Sequence, residues 1–113
     1  MRFMILILLL TAIGVSYKRA TSQRSYAFIK DRKTIETVYD KKGIVRNIGS
    51  TNDPVYIIAF EEQQLNLFPY NLSAEFKSDN KPVKFSGKMK YMYPLEDEFG
   101  QYFEVNDIKE RHY

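Results

Sequence analysis

The nine residues 83–91, VKFSGKMKY, decide the fold because apolar and polar side chains alternate strictly along them. A period of two over this length predicts a β-strand with one face on a core and the other in solvent. Gly87 stands in the apolar series, and a glycine inside a strand favours a bulge or a sharp bend. We therefore expect a long bent strand of the kind that serves two halves of a barrel.

Four shorter runs have the composition of further strands: residues 43–48 (GIVRNI), 55–60 (VYIIAF), 65–68 (LNLF) and 101–108 (QYFEVNDI). The second run is apolar throughout, which predicts burial on both faces. In the last run Phe103 and Val105 are expected to point inward. Ile108 breaks this alternation, so a bulge or the end of the strand is expected near residues 106–107.

The run NLSAEF, which begins at Asn71, predicts one helical turn between the third and fourth strands. Asn71 is a favourable N-cap residue, while Leu72 and Phe76 share one face that would cover the end of a sheet. Residues 40–43 (DKKG) are typical of a turn. Over residues 26–39 helical spacing mixes with strand-forming residue types, so the choice between helix and strand stays open there.

The order of these elements is three strands, a helical turn, a long bent strand and a final strand. This order predicts a mainly β fold, a small five-stranded Greek-key barrel of the OB type, with its helix between the third and fourth strands. Five short strands also need closure to avoid exposed edges. The barrel domain is expected over residues 43–110, after a basic arm and linker over residues 17–42, and a small open sandwich is the alternative.

Residues 1–16 have the features of a signal peptide. Arg2 provides a positive start, and the thirteen residues 3–15 form an uncharged, mostly apolar run. As a helix this run spans about 20 Å, which is short of the hydrocarbon core of about 30 Å but suits a signal-peptide h-region. Gly14 and Ser16 match the small-x-small cleavage rule, so we expect an exported protein, periplasmic or secreted.

The alternative is an uncleaved N-terminal hydrophobic helix that anchors the protein in the inner membrane. Lys18, Arg19 and Arg24 follow the apolar run, and basic residues tend to remain on the cytoplasmic side. Residues 17–46 carry nine basic and three acidic residues, whereas residues 47–113 carry seven basic and eleven acidic residues. A basic arm beside an acidic barrel predicts possible membrane contact through residues 1–24.

The sequence shows no catalytic constellation. The chain contains no cysteine, which excludes disulfides, thiol nucleophiles and thiolate metal sites. His112 is the only histidine, and a residue this close to a terminus is poorly placed as a general base. The acidic run Glu96, Asp97 and Glu98 lacks the spacing of a calcium loop. We therefore expect a non-enzymatic protein with no metal and no cofactor.

Two groups of residues are candidates for binding. The first consists of aromatic residues in and beside the acidic loop, Tyr91, Tyr93 and Phe99, which suit a partner-binding patch because aromatic residues are enriched at interface centres. The second is a possible anion-binding row, Lys84, Lys88 and Lys90, on the polar face of the long strand. These lysines share their face of the strand with Ser86 and no aromatic residue, which argues against nucleic acid as a partner.

Three motifs resemble those of small exported bacterial domains that are common in Bacteroidetes-type genomes. They are N-L-x-x-E-F-K from Asn71, V-x-F-S-G from Val83 and Y-P-x-E-x-x-F-G-x-x-F-E-V from Tyr93, within a resemblance over residues 43–109. Ser73 departs from the pattern, since such domains often carry proline at the first helical turn. The resemblance implies export and an OB-like barrel, and it brings no catalytic residues.

Together these features predict a binding or structural module of the cell envelope that presents a barrel face and the loop after the long strand to a protein or a glycan. An oligonucleotide- or saccharide-binding OB-like domain is the alternative function.

Overall fold

The computed structural model of the chain describes residues 26–112. The predicted signal segment with its hydrophobic helix (residues 1–16) and the first part of the predicted basic arm (residues 17–25) lie outside the described residues.

Five strands and three short 3-10 helices make up the described fold. The strands are β1 (Thr34–Asn47), β2 (Tyr56–Phe60), β3 (Leu65–Pro69), β4 (Lys81–Lys90) and β5 (Gln101–Glu110), and the 3-10 helices are η1 (Ala27–Asp31), η2 (Glu61–Gln63) and η3 (Ala74–Phe76). Neighbouring strands follow the order β1-β2-β3-β5-β4, and β4 pairs back onto β1 to close the barrel. The predicted five-stranded barrel is confirmed, and the open sandwich is excluded.

Strand β1 begins at Thr34, well before the predicted start of the first strand. The undecided segment 26–39 therefore consists of a 3-10 helix followed by strand. The turn predicted over residues 40–43 is wrong, because β1 continues through it with a bulge at which Asp40 adopts a φ of 51°. The Asp40 amide donates to the Ser86 hydroxyl of β4 at 2.9 Å. A bulge bends a strand, which allows β1 to pair with both β4 and β2.

Strand β4 has the predicted alternation as far as Met89, with its inward residues buried: Val83, Phe85, Gly87 and Met89. The inward position predicted for Tyr91 is wrong, because β4 ends at Lys90 and Tyr91 is 43% exposed. The ladder between β4 and β5 shifts beside Gly87, where Ser86 faces Asp107 and Gly87 faces Val105. This shift is the bulge predicted near residues 106–107, and β5 continues beyond it to Glu110. A Cβ atom on Gly87 would lie 2.2 Å from the Glu104 carbonyl oxygen, so only glycine fits this crossing.

Strand β3 pairs with β5 in parallel, whereas every other pairing in the barrel is antiparallel. Asn71 extends this pairing, because its side-chain amide donates to the Val105 carbonyl and accepts from the Val105 amide, both at 2.8 Å. The predicted N-cap role of Asn71 is therefore wrong, and η3 starts after Ser73 without a side-chain cap. Leu72 and Phe76 are buried in the main core, where they cover one end of the barrel as expected.

The main core lies inside the barrel. Three aromatic rings form its centre: Phe85 packs edge to face against Phe60 and Phe103, with both pairs of ring centroids 5.6 Å apart. The surrounding residues are mostly aliphatic: Val38, Val45, Ile58, Leu67, Val83 and Met89. Alternation along β2 and β3 sends every other apolar residue to the opposite, outer face of the barrel.

A second apolar cluster covers this outer face. Helix η1 lies across β2, β3 and β5, so that Ile29 is fully buried against Ile57, Phe68 and Tyr102. Tyr26 adds an edge-to-face contact with Phe68 at 5.0 Å between centroids. The cover explains why β2 is apolar on both faces, because its inner residues pack in the barrel and its outer residues pack beneath η1.

Candidate binding site

A concave cleft of about 500 Å³ opens beside the cover formed by η1. It is lined by the residue before η1, the β1–β2 loop (residues 48–55), the start of β2, the end of β3, the β3–β4 connection (residues 70–80) and the β4–β5 loop (residues 91–100). The lining residues are Tyr26, Asp53, Pro54, Val55, Tyr56, Phe68, Pro69, Tyr70, Leu72, Lys77 and Phe99. We call this surface the aromatic cleft, since five of the lining side chains are aromatic.

The position of the aromatic cleft follows from the topology. Antiparallel pairing of β2 and β3 places Tyr56 of β2 at the same end as Tyr70, which follows β3. Parallel pairing of β3 with β5 places Gln101 beside Leu67, so the β4–β5 loop lies near the start of β3. From there Phe99 reaches the outer face of β3 and packs on Phe68, with centroids 5.2 Å apart. OB-type barrels bind oligonucleotides and oligosaccharides on the face of strands 2 and 3, between the corresponding loops.

Tyr70 is the tyrosine of the cleft whose hydroxyl has a defined electrostatic partner. Burial, reinforced by a hydrogen bond to Glu104, raises the pKa of Tyr70 to about 12. The Tyr70 hydroxyl therefore stays protonated at neutral pH and donates to the Glu104 carboxylate at 2.7 Å. Asp53 and Lys77 are the charged members of the lining and carry opposite signs. Aromatic faces, hydroxyl groups and balanced charge are features of a site for an uncharged polar ligand.

The three aromatic residues predicted as one patch occupy two different places. Phe99 lines the aromatic cleft, whereas Tyr91 and Tyr93 are exposed and pack edge to face on each other, with centroids 5.4 Å apart. The β4–β5 loop thus contributes to two surfaces, and we call the second one the tyrosine surface, defined by Tyr91, Tyr93 and Leu95. Leu95 is 98% exposed.

Arg32 holds the tyrosine surface against the barrel. Its guanidinium donates to both oxygens of Glu96, at 2.7 and 2.8 Å, and lies over the Tyr93 ring at 4.3 Å from the centroid. A second ring, that of Phe28, lies 5.1 Å away. The hydrogen bonds from Arg32 keep the pKa of Glu96 below its ordinary value, and the same contact raises the pKa of Arg32. Both groups therefore remain charged and paired at neutral pH.

The predicted lysine row divides in the same way. Lys84 and Lys88 are half-buried on the outer face of β4. Lys90, in contrast, is 6% exposed beneath η1, and its ammonium donates to the carbonyls of Lys30 and Arg32 and to the Thr34 hydroxyl at 3.1–3.3 Å. These three acceptors use all three N–H groups of Lys90. Lys90 therefore fixes the cover to the barrel and has no donor left for an external anion.

The other predicted features lie outside the cleft. Asp97 and Glu98 are exposed beside the paired Glu96, and His112 is exposed at the end of the described chain. No group of three or more metal-ligating side chains comes together among residues 26–112. Within the same residues, no helix is both long and apolar enough to cross a membrane.

Sequence reasoning missed Arg32 and the cleft tyrosines Tyr26, Tyr56 and Tyr70. These tyrosines come from an N-terminal segment and from the ends of two strands, so no spacing in the sequence relates them. Arg32 is one of nine basic residues within residues 17–46, and nothing in the sequence distinguishes it from the others. Its carboxylate partner and its nearest aromatic partner are distant in the sequence.

Comparison with known proteins adds no further assignment. No protein-family model matches the chain, and no curated protein matches it either. The class defined by the fold is a closed five-stranded β-barrel, and its function is argued below from the site itself.

Proposed function

We propose that the protein is an exported, non-enzymatic binding module of the cell envelope, and that a glycan binds in its aromatic cleft. The observation that carries the proposal is the aromatic cleft itself, a concave surface with five aromatic side chains between the β1–β2 and β4–β5 loops. OB-type barrels bind extended polymers on the face of strands 2 and 3. Here η1 covers part of that face, and the aromatic cleft opens beside this cover. The signal-like composition of residues 1–16 supports export.

The chemistry of the cleft favours a sugar. Pyranose rings combine apolar C–H faces, which pack on aromatic rings, with hydroxyl groups that need hydrogen-bond partners. Tyr56 and Tyr70 provide both kinds of contact, because a tyrosine has an apolar body and a polar tip. The opposite charges of Asp53 and Lys77 add polar groups without a net charge.

The same features argue against a nucleic acid. Binding to a phosphate backbone depends on several lysine or arginine residues along the groove. The lining of the aromatic cleft includes one lysine and one aspartate, and Glu104 accepts the hydrogen bond from Tyr70 at its edge. Phosphates in the cleft would therefore meet little compensating positive charge.

Binding to glycans tests the proposal directly. Binding of the wild-type protein to insoluble peptidoglycan is measured by co-sedimentation, and binding to soluble oligosaccharides is measured by calorimetry. Single-stranded DNA serves as the comparison ligand. We expect Tyr56→Ala to weaken glycan binding by about 30-fold, the effect of losing an interface hot spot of about 2 kcal/mol. Tyr39→Ala is the matched control, because Tyr39 is a tyrosine of β1 that is 71% exposed and lies outside the cleft lining.

Thermal midpoints of both variants establish that they remain folded. Absence of glycan binding by the wild type, equal effects of the two substitutions, or tighter binding of DNA than of any glycan would each contradict the proposal.

A further inference from the structure

Leu95 has an unusual backbone and an unusual exposure. Its φ is 74°, and its side chain is 98% exposed. The left-handed region is disfavoured for every residue with a Cβ atom, and leucine lacks the local hydrogen bonds by which asparagine and aspartate tolerate it. A turn with proline at its second position and a positive φ at its third has the type II pattern, in which glycine is the usual third residue. Neither backbone preference nor packing accounts for leucine here.

The turn that carries Leu95 is held by its neighbours. The Glu96 amide donates to the Tyr93 carbonyl at 3.2 Å, and the Glu96 carboxylate accepts the Tyr93 amide at 2.6 Å. The same carboxylate receives both hydrogen bonds from Arg32, and Pro94 restricts its own φ. The leucine side chain is thus presented on a fixed turn, and little conformational entropy remains to be lost when it binds.

The surroundings of Leu95 define the kind of partner. Tyr91 and Tyr93 are 43% and 56% exposed and extend the apolar area around it. Asp97 and Glu98 follow the turn and are exposed, while Arg32 and Glu96 neutralise each other. This negative flank is repelled by anionic lipid headgroups, so a bilayer fits the surface poorly.

We propose that the tyrosine surface is a protein-docking site, at which Leu95 enters an apolar pocket of a partner protein and Asp97 and Glu98 face basic residues on the rim of that pocket. The strain at position 95 is retained because the side chain is needed for binding, which is a common reason for strained residues at functional sites. This surface is separate from the aromatic cleft, so the inference goes beyond the proposed glycan binding.

A glycine substitution separates folding from binding. Leu95→Gly removes the backbone strain together with the side chain, so its thermal midpoint should be higher than that of the wild type. Leu95→Met keeps an apolar side chain of similar volume and should have a midpoint close to that of the wild type. A midpoint for Leu95→Gly at or below that of the wild type would overturn the proposal, because it would remove the strain argument.

Docking is then tested by immobilising the full exported chain and passing an envelope extract of the native host over it. The proteins that are retained are identified and quantified. We expect at least one protein to bind wild type and Leu95→Met equally and Leu95→Gly at least tenfold less. Asp97→Asn combined with Glu98→Gln should weaken retention of that protein and reduce its dependence on salt. The absence of such a protein overturns the proposal, as does retention that is indifferent to position 95.

Two further measurements exclude the other occupants. If the wild type binds vesicles that contain phosphatidylglycerol and Leu95→Gly does not, the surface binds a bilayer and the proposal is overturned. Self-association of the wild type in sedimentation velocity that Leu95→Gly abolishes would assign it to a second copy, with the same consequence. Glycan binding should be the same for wild type and Leu95→Gly, so failure of the docking proposal is distinguishable from failure of the proposed function.

Discussion

Replacement of Lys90 by methionine tests whether a single buried ammonium group holds the N-terminal cover on the barrel. Methionine keeps most of the apolar stem of lysine and removes the charge. The substitution abolishes the three hydrogen bonds to Lys30, Arg32 and Thr34 and an ion pair with Glu104 at 3.9 Å.

The expected magnitude is a balance of two opposing contributions. Each hydrogen bond from a charged donor contributes about 1.5–3 kcal/mol, so the three bonds together contribute roughly 4–9 kcal/mol. Desolvation of the ammonium costs several kcal/mol. The released acceptors belong to half-buried or exposed residues and regain water. We therefore expect Lys90→Met to reduce the free energy of unfolding by about 2 kcal/mol, which lowers the melting temperature by about 8–16 °C in a domain of this size.

Limited trypsin digestion locates the effect. Lys30, Arg32 and Lys33 provide cleavage sites in and directly after η1. If opening of the cover is fast relative to cleavage, a loss of about 2 kcal/mol increases cleavage there by about 30-fold. Lys84→Met is the matched control, because Lys84 lies on the same outer face of β4 without η1 above it, and it should change stability by less than about 0.5 kcal/mol. Equal midpoints and equal digestion rates for the two variants would refute the reasoning.

Three other predictions concern the barrel and the β4–β5 loop. Phe85→Ala should destabilise the domain by about 3–5 kcal/mol, because Phe85 is 1% exposed at the centre of the core, whereas Lys88→Ala should cost less than about 0.5 kcal/mol; equal urea midpoints would contradict this. Gly87→Ala should cost about 2–3 kcal/mol, since the new methyl group meets a backbone oxygen, and an unchanged melting temperature would disprove the close crossing. Glu96→Gln should destabilise the domain at pH 7, but this difference should disappear as the pH falls below the lowered pKa of Glu96, because the stabilising carboxylate is then protonated in the wild type as well; a constant difference from pH 7 to pH 2 would argue against the pair with Arg32.

The sequence was sufficient for the elements whose signals are local. The alternation over residues 83–91 identified β4, its inward side chains and the bulge at Gly87, because side-chain period is a property of the strand itself. The apolar run of β2 was informative for the same reason. The helical turn expected from Asn71 is shorter than predicted, because η3 spans only Ala74–Phe76 and Leu72 precedes it, although both Leu72 and Phe76 are buried. Once the order of the elements was known, a closed barrel could be predicted, because closure leaves no unpaired strand edges in a sheet of five short strands.

The early part of β1 was not predictable in this way. The sequence DKKG at residues 40–43 is compatible with a turn and with a bulge, and the difference depends on what lies beside it. Here the Asp40 amide donates a hydrogen bond to the Ser86 hydroxyl of β4, which is distant in the sequence, and the chain continues as β1. Lys90 presents the same difficulty, because alternation places it on the outer face of β4, while its burial depends on η1 lying above that face. Both the course of β1 and the burial of Lys90 depend on tertiary contacts, so the local sequence does not indicate them.

The residues predicted as one binding patch lie partly in the aromatic cleft and partly outside it. The β4–β5 loop was recognisable from its aromatic, proline and glycine residues, and Phe99 does line the cleft. The division of that loop between two surfaces was not recognisable, since it arises from the pairing of Glu96 with Arg32. The tyrosines of the cleft meet only after β2, β3 and the N-terminal segment have come together.

The β4–β5 loop connects the two proposed surfaces mechanically. Its middle is fixed where Glu96 binds Arg32, and its second half is fixed where Phe99 packs on Phe68 on the outer face of β3. A loop held at two points keeps its two surfaces at a constant separation, so a glycan in the cleft and a protein on Leu95 would be bound side by side without reordering the chain. For two ligands that belong to one assembly, this fixed geometry makes the second contact effectively intramolecular, and the joint affinity exceeds that of either surface alone.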